Sequence, residues 1–277
     1  MASGALVSAM ELTLPKVPEQ ANQETMGMWL MIGTLALALG VAPLARQIRG
    51  SYWLRALIVA ALCYVCFGIN TPIEAAVFTD LGGMSTMVVL SILPCLLFGA
   101  VTALLFRPTA PAEPFGPSVA RFFGARTAGQ WVWRLAAAVC AFPLIYLAFG
   151  MMVTPFVLEY YRQGQFGLTL PSIGVVILVQ LGRSSLFLLA ALPVLVMWSG
   201  SRRRLVWTLG LAFYVLVGLF GMIQSYWLPP ALLMSHNLEI LADSFVHALA
   251  IALLLVPGKA ARSEILPAVS QFQPQYA

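Results

Sequence analysis

With 277 residues, 61% apolar and only 9% charged, and a mean hydropathy of +0.90, the chain excludes a soluble globular fold, which carries about 25% charged residues. Its net charge of +5 does not point to nucleic acid, because no soluble segment interleaves basic clusters with exposed aromatics. Cys63, Cys66, Cys95 and Cys140 all fall in apolar stretches and carry no information about an oxidising compartment.

Residues 1–25 read as an extracytoplasmic tail. They show no signal-peptide pattern, and Glu11, Lys16, Glu19 and Glu24 precede the first apolar run, which is expected to be an uncleaved anchor. A span needs about 20 mostly apolar residues. Seven stretches qualify, roughly 27–45, 53–70, 84–106, 131–153, 175–199, 205–223 and 237–256. Pro94, Pro143 and Pro193 fall inside them and mark expected kinks. All seven tryptophans, from Trp29 to Trp227, lie near predicted ends, the usual aromatic-belt pattern. Residues 107–118 are Pro-rich and extended, and 118–128 pair Phe122 and Phe123 with Arg121 and Arg126, which suits an interfacial segment. Loops 71–83 and 154–169 carry Glu74, Asp80 and Glu159. Residues 26–257 thus form one transmembrane domain, and 258–277 read as a disordered cytoplasmic tail.

Basic residues are sorted to alternate connections: Arg46, Arg49 and Arg55; then Arg107, Arg121, Arg126 and Arg134; then Arg202, Arg203 and Arg204; then Lys259 and Arg262. Short basic loops stay cytoplasmic. The predicted fold is therefore an all-α integral membrane protein, a bundle of seven transmembrane helices with the N-terminus outside and the C-terminus cytoplasmic. The composition matches a bacterial inner (cytoplasmic) membrane. The lipid bilayer is the implied partner, with membrane partner subunits or a homo-oligomer as further options.

Three inside-to-outside spans begin beside Arg55, Arg134 and Arg204 and carry Tyr-x-x-x-Gly, at Tyr64/Gly68, Tyr146/Gly150 and Tyr214/Gly218. Each then meets a proline (Pro72, Pro155, Pro229) and an acidic residue (Glu74, Glu159, Glu239). This pattern predicts three helical hairpins after an extra first helix at the periphery; shared apolar composition would generate the same matches.

The last span holds the densest chemistry. At 100° per residue, His236, Glu239, Asp243 and His247 share an arc of roughly 80° on an otherwise apolar helix. Ionisable groups inside a span are costly and face protein or water, so this stripe is expected to point inward. Arg183, with Gln180 one turn before it, is expected at the same depth, in the outer half of the membrane. A fork from Arg183 to Asp243 or Glu239 would satisfy both partners. Three readings stand side by side: a guanidinium that snorkels to the surface, a structural clasp between helices, and a functional polar centre for substrate, proton or metal.

Weaker signals add little. His-x-x-Glu at 236/239 and Asp-x-x-x-His at 243/247 put paired ligands on one face, but a metal site needs ligands from facing helices too. Cys63-x-x-Cys66 lies mid-span and reads as small apolar filler. Retinal proteins share seven spans but need a lysine in the last one, and Lys16 and Lys259 lie outside the spans. No phosphate loop, HExxH or GxSxG is present. No cofactor is implied. The functional expectations are a small-solute or proton-coupled carrier using Arg183, Asp243, His247, Glu239, His236 and Gln180; a non-catalytic accessory or assembly subunit; and, third, a metal or haem enzyme.

Overall fold

A computed structural model describes Thr13 and residues 21–257; the predicted tails lie largely outside the described residues. Seven helices are long and apolar enough to cross a membrane: α1 (Glu24–Ala45), α2 (Tyr52–Phe78), α3 (Met84–Leu105), α5 (Ala128–Arg162), α6 (Ile173–Val196), α7 (Arg202–Gln224) and α8 (Pro230–Leu255). A short helix, α4 (Phe115–Gly124), joins α3 to α5. Helices dominate because hydrocarbon offers the backbone no hydrogen-bond partner. Side-chain caps fix several starts. Ser51 accepts from Leu54 N–H, Ser201 from Arg204 N–H, and Thr127 with Gln130 forms a capping box. Large apolar side chains such as Leu57, Leu104, Leu144 and Leu178, each at least 60% exposed on the protein, look outward where lipid would cover them.

Three spans run well beyond the sequence prediction at the end away from the arginine-rich loops. α2 continues through Pro72 to Phe78, α5 through Pro155 to Arg162, and α8 starts at Pro230, before His236. Prolines read as loop punctuation sit inside helices here. Pro72 falls in the first turn after a π-helical segment, Tyr64–Asn70, and Pro230 opens α8, where a missing N–H costs nothing. Glu74 and Glu159 are consequently helical residues rather than loop residues.

A second π segment, Tyr214–Leu219, lies in α7. The two begin at Tyr64 and Tyr214, 150 positions apart, and the same offset relates Pro43 to Pro193, Gly50 to Gly200, Ser51 to Ser201, Val65 to Val215 and Gly68 to Gly218. The loops carrying those glycines pair with each other. Ile48 bridges Trp198, Arg49 N–H donates to Met197 O, and Ser199 N–H donates to Gln47 O, both at 2.9 Å. Exchanging the loops converts one bond into the other, so a local two-fold axis passes through the bridge. α1–α3 and α6–α8 are two copies of one three-helix unit, running in the same direction, with α5 between them in sequence. Each unit's first helix packs on the other's second, α1 on α7 and α6 on α2, and each third helix packs on its own second.

This corrects the expected three hairpins. Tyr146 and Gly150 lie in regular α-helix without a π turn, so the middle match was common apolar composition. The peripheral span is also α5, with 17% of its most apolar window buried against 39% for α1.

The arginine-rich end is tightly fastened. Arg49 pairs with Glu113 and donates to Trp198 O at 2.9 Å, and Arg121 also holds Glu113. Arg126, Arg134 and Arg202 donate to the carbonyls of Leu255, Leu254 and Val256 at 2.6–2.8 Å, capping the C-terminal end of α8. Two tryptophans expected at the lipid interface are instead buried here. Trp198 donates to Ser201 O and Trp131 to Phe123 O.

Two predictions follow from this packing. A Cβ on Gly99 would stand 2.4 Å from Ala56 O and 2.7 Å from Ala60 N, both backbone atoms. Gly99→Ala must therefore part α2 from α3 and cost about 1–3 kcal/mol. Gly129→Ala, with nothing within 4 Å, should leave thermal unfolding in detergent unchanged. Second, partial burial pushes the Glu113 carboxyl up, but Arg121 and Arg49 outweigh it and hold the group below the usual carboxylate range. Its contribution is present at neutral pH and is lost as pH falls through that lowered value. Glu113→Gln should mimic the acid state, loosening residues 107–118 by about 1 kcal/mol or less, read as faster proteolysis of that segment at neutral pH.

Candidate functional site

Three helices, α2, α6 and α8, bring ionisable side chains together inside the bundle. Arg183 on α6 is 1% exposed. Its Nη2 donates to Glu74 Oε2 on α2 at 2.8 Å and its Nη1 to Gln180 Oε1 at 3.0 Å. The guanidinium also stands 5.9 and 5.8 Å from the ring centres of Phe142 and Phe187. Nothing snorkels. The fork expected toward Asp243 or Glu239 is absent. The extension of α2 carries Glu74 on a helix that packs against α6, and Glu74 takes the place expected for the α8 carboxylates.

On α8, Glu239, Asp243 and His247 are buried and His236 is half-buried. They do not form one site. Arg183, Asp243 and His247 line a common cavity with Glu74, Tyr146 and Ser244, whereas Gln180, His236 and Glu239 lie outside it. The cavity measures about 30 Å³. That is room for a few water-sized molecules and about a tenth of a site that encloses a drug-sized ligand. Asp243 is also deeper than the expected outer half, since α8 extends thirteen residues before it and twelve after it.

Asp243 Oδ1 and His247 Nε2 are buried without a hydrogen-bond partner, as are Gln180 Nε2, Ser184 Oγ and both amide atoms of Asn70. Few native buried polar atoms are left so, and they concentrate on the helices that meet at Arg183. The His247 ring stacks on Phe213 at 5.4 Å and contacts Phe142 and Phe187 at 4.8 and 5.7 Å. These rings close the cavity on the side toward the arginine-rich end.

His236 and Glu239 form a separate chain nearer the opposite end. Tyr161 Oη lies 3.2 Å from His236 Nε2, and His236 Nδ1 lies 3.0 Å from Glu239 Oε2. Glu239 packs on Gly150, whose missing side chain leaves it room.

Sequence reading overlooked Glu74 as a partner and gave no role to Tyr146, Tyr161 or the phenylalanines. One signal was available: Asn70 and Glu74 are four apart in an apolar run, which places both on one helical face. Among the described residues no three His, Cys, Asp or Glu side chains converge closely enough to hold a metal ion. Cys63, Cys66 and Cys95 are free and buried. Compared with known proteins, the chain matches no family model, no curated sequence and no solved structure.

The unequal pairing has a measurable consequence. Arg183→Met strands Glu74 and should cost about 2–3 kcal/mol, less than the 3–5 of a fully buried pair because Glu74 is 27% exposed. Asp243→Asn breaks no bond and should change stability by less than about 1 kcal/mol. In a double-mutant cycle, Arg183 should couple more strongly to Glu74 than to Asp243.

Proposed function

We propose that this protein is a proton-coupled carrier for a small polar solute, with the Arg183, Asp243 and His247 cluster as its binding and coupling centre. One observation carries this reading: the centre straddles the seam between two repeated units. Glu74 belongs to the first unit, while Arg183 and Asp243 belong to the second. Carriers built from parallel repeats bind near the bilayer midplane between the repeats and work by rocking one against the other. Ionisable side chains inside a span are costly and commonly mark substrate or proton pathways. The sorted arginines support a cytoplasmic arginine-rich face and an outer N-terminal end, and the composition is the ground for a bacterial inner membrane as the setting.

The test uses proteoliposomes that enclose a pH-sensitive dye. Amino acids, short carboxylates and sugars are added one class at a time under an imposed pH gradient. One class should drive a proton flux that Asp243→Asn reduces at least tenfold with the protein still folded. Silence across the whole panel, or equal flux in the variant, would overturn the carrier reading.

A further inference from the structure

We infer that Asp243 is a proton site loaded from the end opposite the arginines through Tyr161, His236 and Glu239, and that its proton selects which carboxylate Arg183 holds. This deepens the carrier reading and takes its functional meaning from it.

Charge balance comes first. The cavity holds one guanidinium and two carboxylates, Glu74 and Asp243. Arg183 is bonded to Glu74, so neutrality requires a proton on Asp243. The groups that face Asp243 are Glu74 from α2, Arg183 from α6, Tyr146 from α5 and, on its own helix, Ser244, His247 and, one turn away, Glu239; α7 presents only Phe213 and Val217. No second cation is among them. If the proton leaves, two carboxylates compete for one guanidinium, and the bare Asp243 draws Arg183 toward itself. Glu74 is the member of the existing pair that can be released, being 27% exposed where Arg183 is 1%. The exchange moves a clasp from between the two units to within the second unit. That loosens their seam.

The route is laid out on α8. His236, Glu239 and Asp243 follow one another at intervals of three and four residues, about 4.5 and 6 Å along the axis. With His236 as the Nδ1–H tautomer, Tyr161 Oη donates to its Nε2 and its Nδ1–H donates to Glu239 Oε2. An incoming proton binds Tyr161 Oη as the tyrosine passes its own proton to Nε2. The Nδ1 proton moves to Glu239, which hands it to Asp243. Tyr161 and His236 end neutral and the proton gained at the surface equals the one delivered; the imidazole, left with its proton on Nε2, regains the Nδ1–H tautomer by proton exchange with water at the half-buried His236 before the next transfer. Beyond Asp243 the route stops, because His247 is enclosed by Phe142, Phe187 and Phe213.

Infrared difference spectroscopy on purified protein tests this without any transported solute. The carbonyl band of a protonated carboxylic acid should appear as pH falls and should vanish in Asp243→Asn. After a rapid drop in pH, the band should rise at least tenfold more slowly in Glu239→Gln, and at the wild-type rate in Glu159→Gln. Its titration midpoint should fall by one unit or more in Glu74→Gln, because Arg183 then has no rival carboxylate. A band that survives Asp243→Asn, or equal rise rates in Glu239→Gln and wild type, overturns the inference. A midpoint in Glu74→Gln that stays in place overturns the exchange of partners. A normal band with a silent solute panel sinks the carrier reading alone, and solute-driven flux without the band sinks this inference alone.

Discussion

A guanidinium cut off from water must find its counter-charge inside the bundle, and Arg183 finds it on Glu74, a residue of the other three-helix unit. The rest of the centre depends on that pairing. With Glu74 engaged, Asp243 has no cation, and Gln180 completes the guanidinium's hydrogen bonds with its carbonyl while its own amide nitrogen goes without. A buried ion pair is weak evidence of stability, because desolvation offsets most of the attraction. Its better-attested use is to specify which surfaces meet. Here it joins helices that belong to two repeated units.

The duplication makes the centre's asymmetry visible. At the same offset of 150, Arg183 corresponds to Gly33, Glu74 to Gln224 and Asn70 to Phe220. The counterpart position is apolar and packed: a Cβ on Gly33 would meet Phe220 at 3.0 Å, and Phe220 makes an edge contact with Phe67 at 5.0 Å. A glycine there admits the phenylalanine, whereas the long guanidinium at 183 excludes one. Two equivalent seams thus carry different chemistry, one a hydrocarbon joint and the other an ionic one. Equivalent backbones with unequal side chains are what a single off-axis site requires, since a symmetric pair of charged seams would double the desolvation cost.

Seven helical spans were legible because lipid imposes a length and an apolar composition that short loops cannot imitate. The inward set of the α8 stripe was legible for a related reason: four ionisable groups on one face leave only one orientation that avoids hydrocarbon. What escaped was decided by contacts between distant segments. Pro72 read as a loop signal, yet the helix continues through it after the π segment, and that hid Glu74 on a helical face opposite Arg183. The repeat escaped as well. Only a handful of positions survive between the halves; Tyr64/Gly68 and Tyr214/Gly218 are among them, but the false match at Tyr146/Gly150 masked the pairing, and the loop and cap residues Gly50 with Gly200 and Ser51 with Ser201 went unread.

The two ends of the bundle differ in how firmly they are tied, and this bears on how a carrier of this shape would open. At the arginine-rich end, the loop pair, the Glu113 ion pairs and three arginine caps on α8 converge within one layer. At the other end, among the described residues, the ties between segments are hydrogen bonds without an arginine: Thr79 bridges Leu168, Asp80 N–H donates to Gly167 O and Thr169 N–H to Phe78 O at 2.8 Å, Thr86 donates to Thr13 O, and Tyr226 to the Asn22 carbonyl. A cavity of about 30 Å³ holds water or a proton in passage but no organic solute, so carriage of one demands that the units part. Parting costs less where the ties are neutral hydrogen bonds than where they are charge-assisted, and the two-fold axis through Ile48 and Trp198 supplies a pivot at the arginine-rich end. Rocking about that pivot would widen the gap between α2 and α6 at the level of Glu74, and the ion pair with Arg183 is the bond across it that a proton on Asp243 preserves.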